Sequence, residues 1–126
     1  MQAFSRGNGP LVSVLIPTRG RPRQLVETMS SLWDLAKDKS LIEFVVKIDD
    51  DDVDTRIVLD RLLTTYKLPV QLLSSPQGRG YLDLHLWING MCARARGDWL
   101  LIFNDDARMA SQNWDQEFIG ITNKIW

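Results

Sequence analysis

Asn104, Asp105 and Asp106 set an amide and two carboxylates side by side directly after the apolar run Trp99 to Phe103. Adjacent carboxylates repel one another, and the sequence offers them no oppositely charged neighbour until Arg108. A hard divalent cation such as magnesium or manganese relieves that repulsion, because such ions are held by one or two carboxylates together with waters and substrate phosphates. A cation placed there neutralises a pyrophosphate and stabilises it as a leaving group. Taken alone, the triplet also reads as a plain strand terminator, since Asn and Asp form local Asx turns.

Three further clusters carry chemistry. Asp49 to Asp52 follow the apolar stretch IEFVVKI. Asp52 or Asp54 is expected to cap the next helix, which leaves Asp49 and Asp50 at the strand tip to accept hydrogen bonds from a ligand, such as the imide of uracil or a ribose hydroxyl. Arg19, Arg21 and Arg23 follow the run LVSVLI and Pro17. They either neutralise the aspartates or hold a phosphate. Gly78-Arg79-Gly80 allows a close backbone approach to a ligand, with Arg79 in reach of a diphosphate. That glycine pair lacks the full dinucleotide fingerprint and does not follow the first strand, which argues against a nicotinamide cofactor.

The elements that must position these groups alternate. Leu11 to Ile16, Ile42 to Ile48, VQLL after Pro69, and Trp99 to Phe103 read as short buried strands. Between them lie amphipathic helices. The first opens at Pro22 and buries Leu25, Met29, Leu32, Trp33 and Ala36; the second stacks Val58, Leu59, Leu62, Leu63 and Tyr66. The third runs from about Leu82 to Ala95 and is stopped by Gly97, and a last one carries Trp114, Phe118, Ile121 and Ile125. Strand and helix in alternation imply right-handed crossovers and a mostly parallel sheet of about four strands with helices on both faces, a Rossmann-like three-layer α/β/α sandwich. In such sheets ligands bind beyond the carboxyl ends of the strands. The arginine loop, the aspartate run and the Asn-Asp-Asp triplet each follow a strand, so all three are expected at one edge.

Composition narrows the chemistry. The 126 residues are 44% hydrophobic, enough for one core and too few for a second full domain. We divide the chain into a flexible N-terminal segment, 1–10, and a single domain, 11–126. Cys92 is the only cysteine and His85 the only histidine, which excludes disulfide frameworks, Cys/His zinc clusters and Ser-His or Cys-His catalysis within one chain. A lone histidine is usually structural. Asn89, one turn from His85, is expected to brace a neighbouring loop, and Cys92 to behave as a small hydrophobe. A net charge of −1 gives no reason to expect nucleic acid. The opening residues lack the apolar run and cleavage site of a secretory signal, and no stretch approaches the ~20 apolar residues of a membrane span, so a cytoplasmic location is expected.

Taken together, VSVLIPTRGRPRQLVETMSSLW, IDDDDVDT and GRGYLDLHLWINGMCARARGDWLLIFNDDA resemble the N-terminal part of inverting glycosyltransferases of family 2 with the GT-A fold. The resemblance runs from about Leu11 to Trp114 and is strongest from Asn89 to Asp106. It implies that Pro17, Thr18, Arg19, Asp49 and Asp50 hold the nucleoside of a nucleoside-diphosphate sugar, with a UDP-sugar as the first expectation. It implies that Asn104 and Asp105 contact the donor as part of the family's Asp-any-Asp motif, and that Asp106 holds magnesium or manganese.

Two departures qualify what the resemblance implies. The motif begins with a neutral residue, Asn104, which weakens a cation site without forbidding it. The family's acceptor-binding half, with its catalytic base, lies beyond the acidic motif, where this chain has only Asp115 and Glu117 as carboxylates. Neither is a convincing base, so the catalytic residue is unassigned. The expected function is nucleotide-sugar binding for inverting sugar transfer. Its alternative is a catalytically silent binding module completed by another chain. Apolar surface near Trp114, Phe118 and Trp126 is expected to be exposed and to promote self-association into a homo-oligomer.

Overall fold

The computed structural model describes residues 9–76, 78 and 80–125. Its strands are β1 (Val12–Pro17), β2 (Ile42–Asp49), β3 (Val70–Ser75) and β4 (Trp99–Ile102), and its helices are α1 (Pro22–Leu35), α2 (Val53–Thr64), α3 (Leu84–Arg94) and α4 (Asp115–Ile125). All strand pairs are parallel, in the order β3-β2-β1-β4. The chain therefore adds strands to one side of β1 and then returns to the other, which places the reversal of strand order between β1 and β4. This is the Rossmann-like α/β sandwich expected from the alternation of elements.

Period-two side chains on the central strands feed two cores. Val12, Val14 and Ile16 of β1 and Ile42, Phe44, Val46 and Ile48 of β2 pack with Leu25, Met29 and Leu32 of α1, Leu59 and Leu62 of α2, and Trp114. On the other face Leu15 and Val45 meet Met91 of α3 in a much smaller cluster. Pro22 starts α1 at a position where a missing amide costs nothing. Asp52 caps α2 by accepting the Thr55 amide at 3.3 Å, as one of the two aspartates was expected to do.

The small core is bounded below by a polar network that the apolar look of β2 conceals. Glu43 is 1% exposed, yet its Oε2 accepts the Ser13 hydroxyl at 2.6 Å and the Arg96 amide at 2.7 Å. Its Oε1 accepts Gln71 Nε2 at 3.0 Å and Arg96 Nε at 3.1 Å. Burial alone would raise the Glu43 pKa, but these hydrogen bonds outweigh it and hold the carboxyl below its usual range. One carboxylate thereby ties β1, β2, β3 and the loop before β4. Gly97 completes the joint. Its amide donates to Ser13 Oγ at 2.8 Å, and a Cβ there would lie 2.7 Å from the Ser13 backbone nitrogen.

Three expectations are corrected. β4, expected to be buried, is an edge strand with one face open: Leu100 is 47% and Ile102 56% exposed, because α3 covers β1 to β3 and stops short of β4. On α2 the buried stripe is Thr55, Leu59 and Leu62, while Leu63 and Tyr66 are exposed, since the helix ends at Thr64 and Leu63 falls off the stripe. Trp114 is buried, donating Nε1 to the Leu32 carbonyl at 2.8 Å and meeting Phe118 edge to face. Ile121 of α4 is 42% exposed, and among the described residues a second group of exposed apolar side chains, Leu82, Leu86, Leu100 and Ile102, lies on or beside α3 and β4. Trp126 lies outside the described residues.

Candidate nucleotide-sugar cleft

A cleft of about 600 Å³ opens beyond the carboxyl ends of β1, β2 and β4, at the reversal of strand order. Pro17, Thr18, Arg19 and Arg21 line it from the first loop, Asp49 from the end of β2, and Asn104, Asp105 and Asp106 from the segment after β4. Leu84, Trp87 and Ile88 of α3 supply an apolar wall. Seven of the nine residues singled out from the sequence thus meet in one cavity. Asp50 is exposed and does not line it, its amide donating to the Ser75 carbonyl at 2.8 Å. Arg79 lies outside the described residues.

The loops are bound to each other by charge. Thr18 Oγ1 donates to Asp105 Oδ2 at 2.7 Å, joining the end of β1 to the acidic triplet. Arg21 Nη1 reaches Asp105 Oδ1 at 3.2 Å and Asp106 Oδ2 at 3.3 Å. Thr28 of α1 donates to the backbone carbonyls of Asp105 and Ala107, at 2.9 and 2.6 Å, which fixes the triplet against the helix. On the opposite side Arg19 pairs with Asp49 and Asp51. Gly20, at φ +61°, turns the loop so that its amide donates to Asp52 Oδ2 at 2.7 Å, a backbone conformation that glycine adopts without strain. Arg23 takes no part, pairing with Glu27 along α1.

Lys47 is the residue that sequence reasoning missed. It sits inside β2 with its side chain 2% exposed, Nζ 2.7 Å from Asp49 Oδ1 and 3.9 Å from the centre of the Trp87 ring. Burial would raise the Asp49 pKa, but hydrogen bonds from Lys47 and Arg19 outweigh it and hold the carboxyl low. Both Asp49 oxygens are therefore engaged, where the sequence had suggested a free acceptor. The one available signal was a lysine at the sixth position of a strand that reads as mostly apolar. Gly78 is open for a different reason than expected: a Cβ there would collide with the Asp83 carboxylate, so a neighbouring side chain, in place of a ligand, approaches its backbone.

The other residues considered lie elsewhere. His85 and Asn89 are exposed and outside the cleft, and Cys92 is half-buried against the small core. Asp115 is fully buried, its two oxygens accepting the Lys37 and Asp38 amides at 2.8 and 2.9 Å. Those bonds outweigh the desolvation that would otherwise raise its pKa, so the group stays ionised and structural. Glu117 is exposed on α4.

Among the described residues no group of three or more acidic, histidine or cysteine side chains converges as a metal cluster. Two carboxylates do converge. Arg21 Nη1 stands between Asp105 and Asp106 as a cation would, with the Asn104 amide beside them in the cleft. A pair of carboxylates completed by waters and phosphates is a donor set that magnesium or manganese accepts.

The family model "Glycosyl transferase family 2" matches residues 13–121. The chain belongs to this family. Its fold is shared by S. aureus TarS, at a TM-score of 0.75 and 19% identity over 90% of this chain and 20% of that one. The mannosyltransferase PcManGT from Pyrobaculum calidifontis, solved with GDP-Man and Mn2+, matches at a TM-score of 0.72 and 20% identity over 88% of this chain and 32% of that one. TarS 1-349 in complex with UDP-GlcNAc matches at 0.69 and 19% identity, over 90% and 31%. No curated protein matches the chain. This glycosyl transferase family 2 chain spans a fifth to a third of the length of the structures it resembles. No helix among its described residues is long and apolar enough to cross a membrane.

Proposed function

We propose that the chain forms the donor-binding part of an inverting glycosyltransferase, taking a nucleoside-diphosphate sugar in the cleft beyond β1, β2 and β4. The observation that carries this reading is the junction of Thr18, Arg21, Asp105 and Asp106, which brings hydrogen-bond donors, a guanidinium and two carboxylates to one cavity wall. Arginine suits a diphosphate, while carboxylates suit ribose hydroxyls and a divalent cation. In this reading Pro17, Thr18, Arg19 and Asp49 lie toward the nucleoside, Asn104 and Asp105 toward the donor's ribose and diphosphate, and Asp106, with Asp105 beside it, holds the cation. When bound, magnesium or manganese supplies charge neutralisation for the departing diphosphate. A UDP-sugar is the first candidate, since a fold relative is solved with UDP-GlcNAc and another with GDP-Man and Mn2+. Calorimetric titration of UDP, GDP and their sugars with manganese tests the proposal: no binding, or metal-dependent binding untouched by Asp106→Ala, refutes it.

One observation favours a second reading, a binding module that does not turn over by itself. Each carboxylate lining the cleft is paired with a cation, Asp49 with Lys47 and Arg19, Asp105 and Asp106 with Arg21. Asp115 is committed to backbone amides. A general base must reach the attacking hydroxyl unencumbered, and none of these does. Donor hydrolysis or sugar transfer by the purified chain would exclude this reading, whereas binding without turnover would support it.

A further inference from the structure

One nitrogen, Arg21 Nη1, contacts an oxygen from each of two adjacent carboxylates, Asp105 Oδ1 and Asp106 Oδ2. These are the oxygens a divalent ion would take from the pair. Magnesium holds oxygens at about 2.0–2.1 Å, which leaves no space for a guanidinium nitrogen between the same two atoms. Asp105 cannot turn away to serve both. Asp105 Oδ2 is taken by Thr18 at 2.7 Å, and the Asp105 carbonyl is held by Thr28. Arg21 is the partner able to move. Its side chain is 50% exposed, its contacts are long and made through a single nitrogen, and it makes no side-chain cap on α1. An arginine used as a bidentate fork would be far harder to dislodge.

We propose that Arg21 and a divalent cation are alternative occupants of the Asp105 and Asp106 oxygens, so that metal loading expels the guanidinium and frees it for a phosphate of the ligand. Two neighbouring carboxylates left without a cation repel each other, and two cations on the same oxygens repel as well, so the site holds one at a time. Metal and phosphate binding are then coupled through the position of one side chain, and the coupling is reciprocal. The identity of the phosphate ligand rests on the nucleotide-sugar reading. The competition itself belongs to the ligand-free cleft.

The test is a manganese titration without nucleotide, followed by electron paramagnetic resonance, on the wild type, Arg21→Gln and Arg21→Lys. Removal of a partly exposed competing cation is expected to tighten manganese binding about tenfold in Arg21→Gln, with Arg21→Lys intermediate. Unchanged, weaker or absent manganese binding in Arg21→Gln overturns the competition. Circular dichroism of the variants should match the wild type, as the side chain is half exposed. Adding UDP at saturating manganese gives the second arm: Arg21→Gln is expected to bind UDP about fivefold more weakly, and an unchanged affinity overturns the transfer of the guanidinium to phosphate. A chain that shows the manganese effect but binds neither UDP nor GDP refutes the donor-binding reading and leaves the competition standing.

Discussion

Lys47 Nζ lies 3.9 Å from the centre of the Trp87 ring, so a cation from the middle of the sheet is seated on an aromatic face of α3. Two residues along the same strand, Asp49 receives that ammonium at 2.7 Å and shares its other oxygen with Arg19. The cleft therefore has a buried charged floor at the end of β2 and a more exposed charged wall at Asp106. A buried ion pair is held in place by the cost of leaving either member alone.

Lys47→Met is expected to lower stability by about 2–3 kcal/mol, because it leaves Asp49 buried with one partner. The half-exposed Arg19 remains, which keeps the loss below that of a fully orphaned charge. Adding Asp49→Asn to this variant should restore part of the loss, since the uncompensated carboxylate is then gone. Urea unfolding at neutral pH measures both; a Lys47→Met variant as stable as the wild type would show that the pair is dispensable.

Acid should loosen the fold through Glu43, Asp49 and Asp115. All three carboxyls are held below their ordinary values, so between the unfolded and folded pKa the unfolded chain binds more protons. Their contribution is complete above about pH 5, begins to fall as pH drops through the unfolded values near 4, and is lost below the folded ones. Glu43→Gln is expected to cost about 2 kcal/mol at neutral pH by facing its amide with donors, and to flatten the acid limb of stability against pH. Thermal melts from pH 7 to pH 3 check the sign. A mutant as steep as the wild type would remove Glu43 as a contributor.

Gly97→Ala should destabilise the chain by about 2–4 kcal/mol, since the added Cβ meets backbone atoms of Ser13 and Val12 that cannot swing aside. The strain falls at the amino ends of β1 and β4, opposite the cleft. Folded protein recovered at low temperature should still bind nucleotide with wild-type affinity, read by calorimetry.

Asp115→Asn separates scaffold from chemistry. Replacing one of two oxygens that each accept a backbone amide by a donor is expected to cost about 1–3 kcal/mol, with nucleotide affinity unchanged. Wild-type stability together with lost turnover would instead point to a base.

The aspartates and arginines of the cleft could be found in the sequence because each follows an apolar run, and loops after parallel strands share one edge whatever the strand order. Lys47 and Glu43 could not be found that way. A strand buried on both faces reads as continuously apolar, and a charged residue within it looks like an interruption until its partners on other strands are known.

Local pattern thus determined the elements, their parallel arrangement and the edge where chemistry gathers, because hydrophobic period and chain direction are properties of neighbours in sequence. The tertiary structure alone decided which charges meet. It put Arg21 on Asp105 and Asp106, residues more than eighty positions away, joined Arg19 to Asp49, and left β4 as an open edge. Coulombic pairing and desolvation depend on distances across the sheet, and strand order sets those distances. That is why the acidic triplet, which in sequence has no positive neighbour before Arg108, is already paired with a guanidinium in the fold.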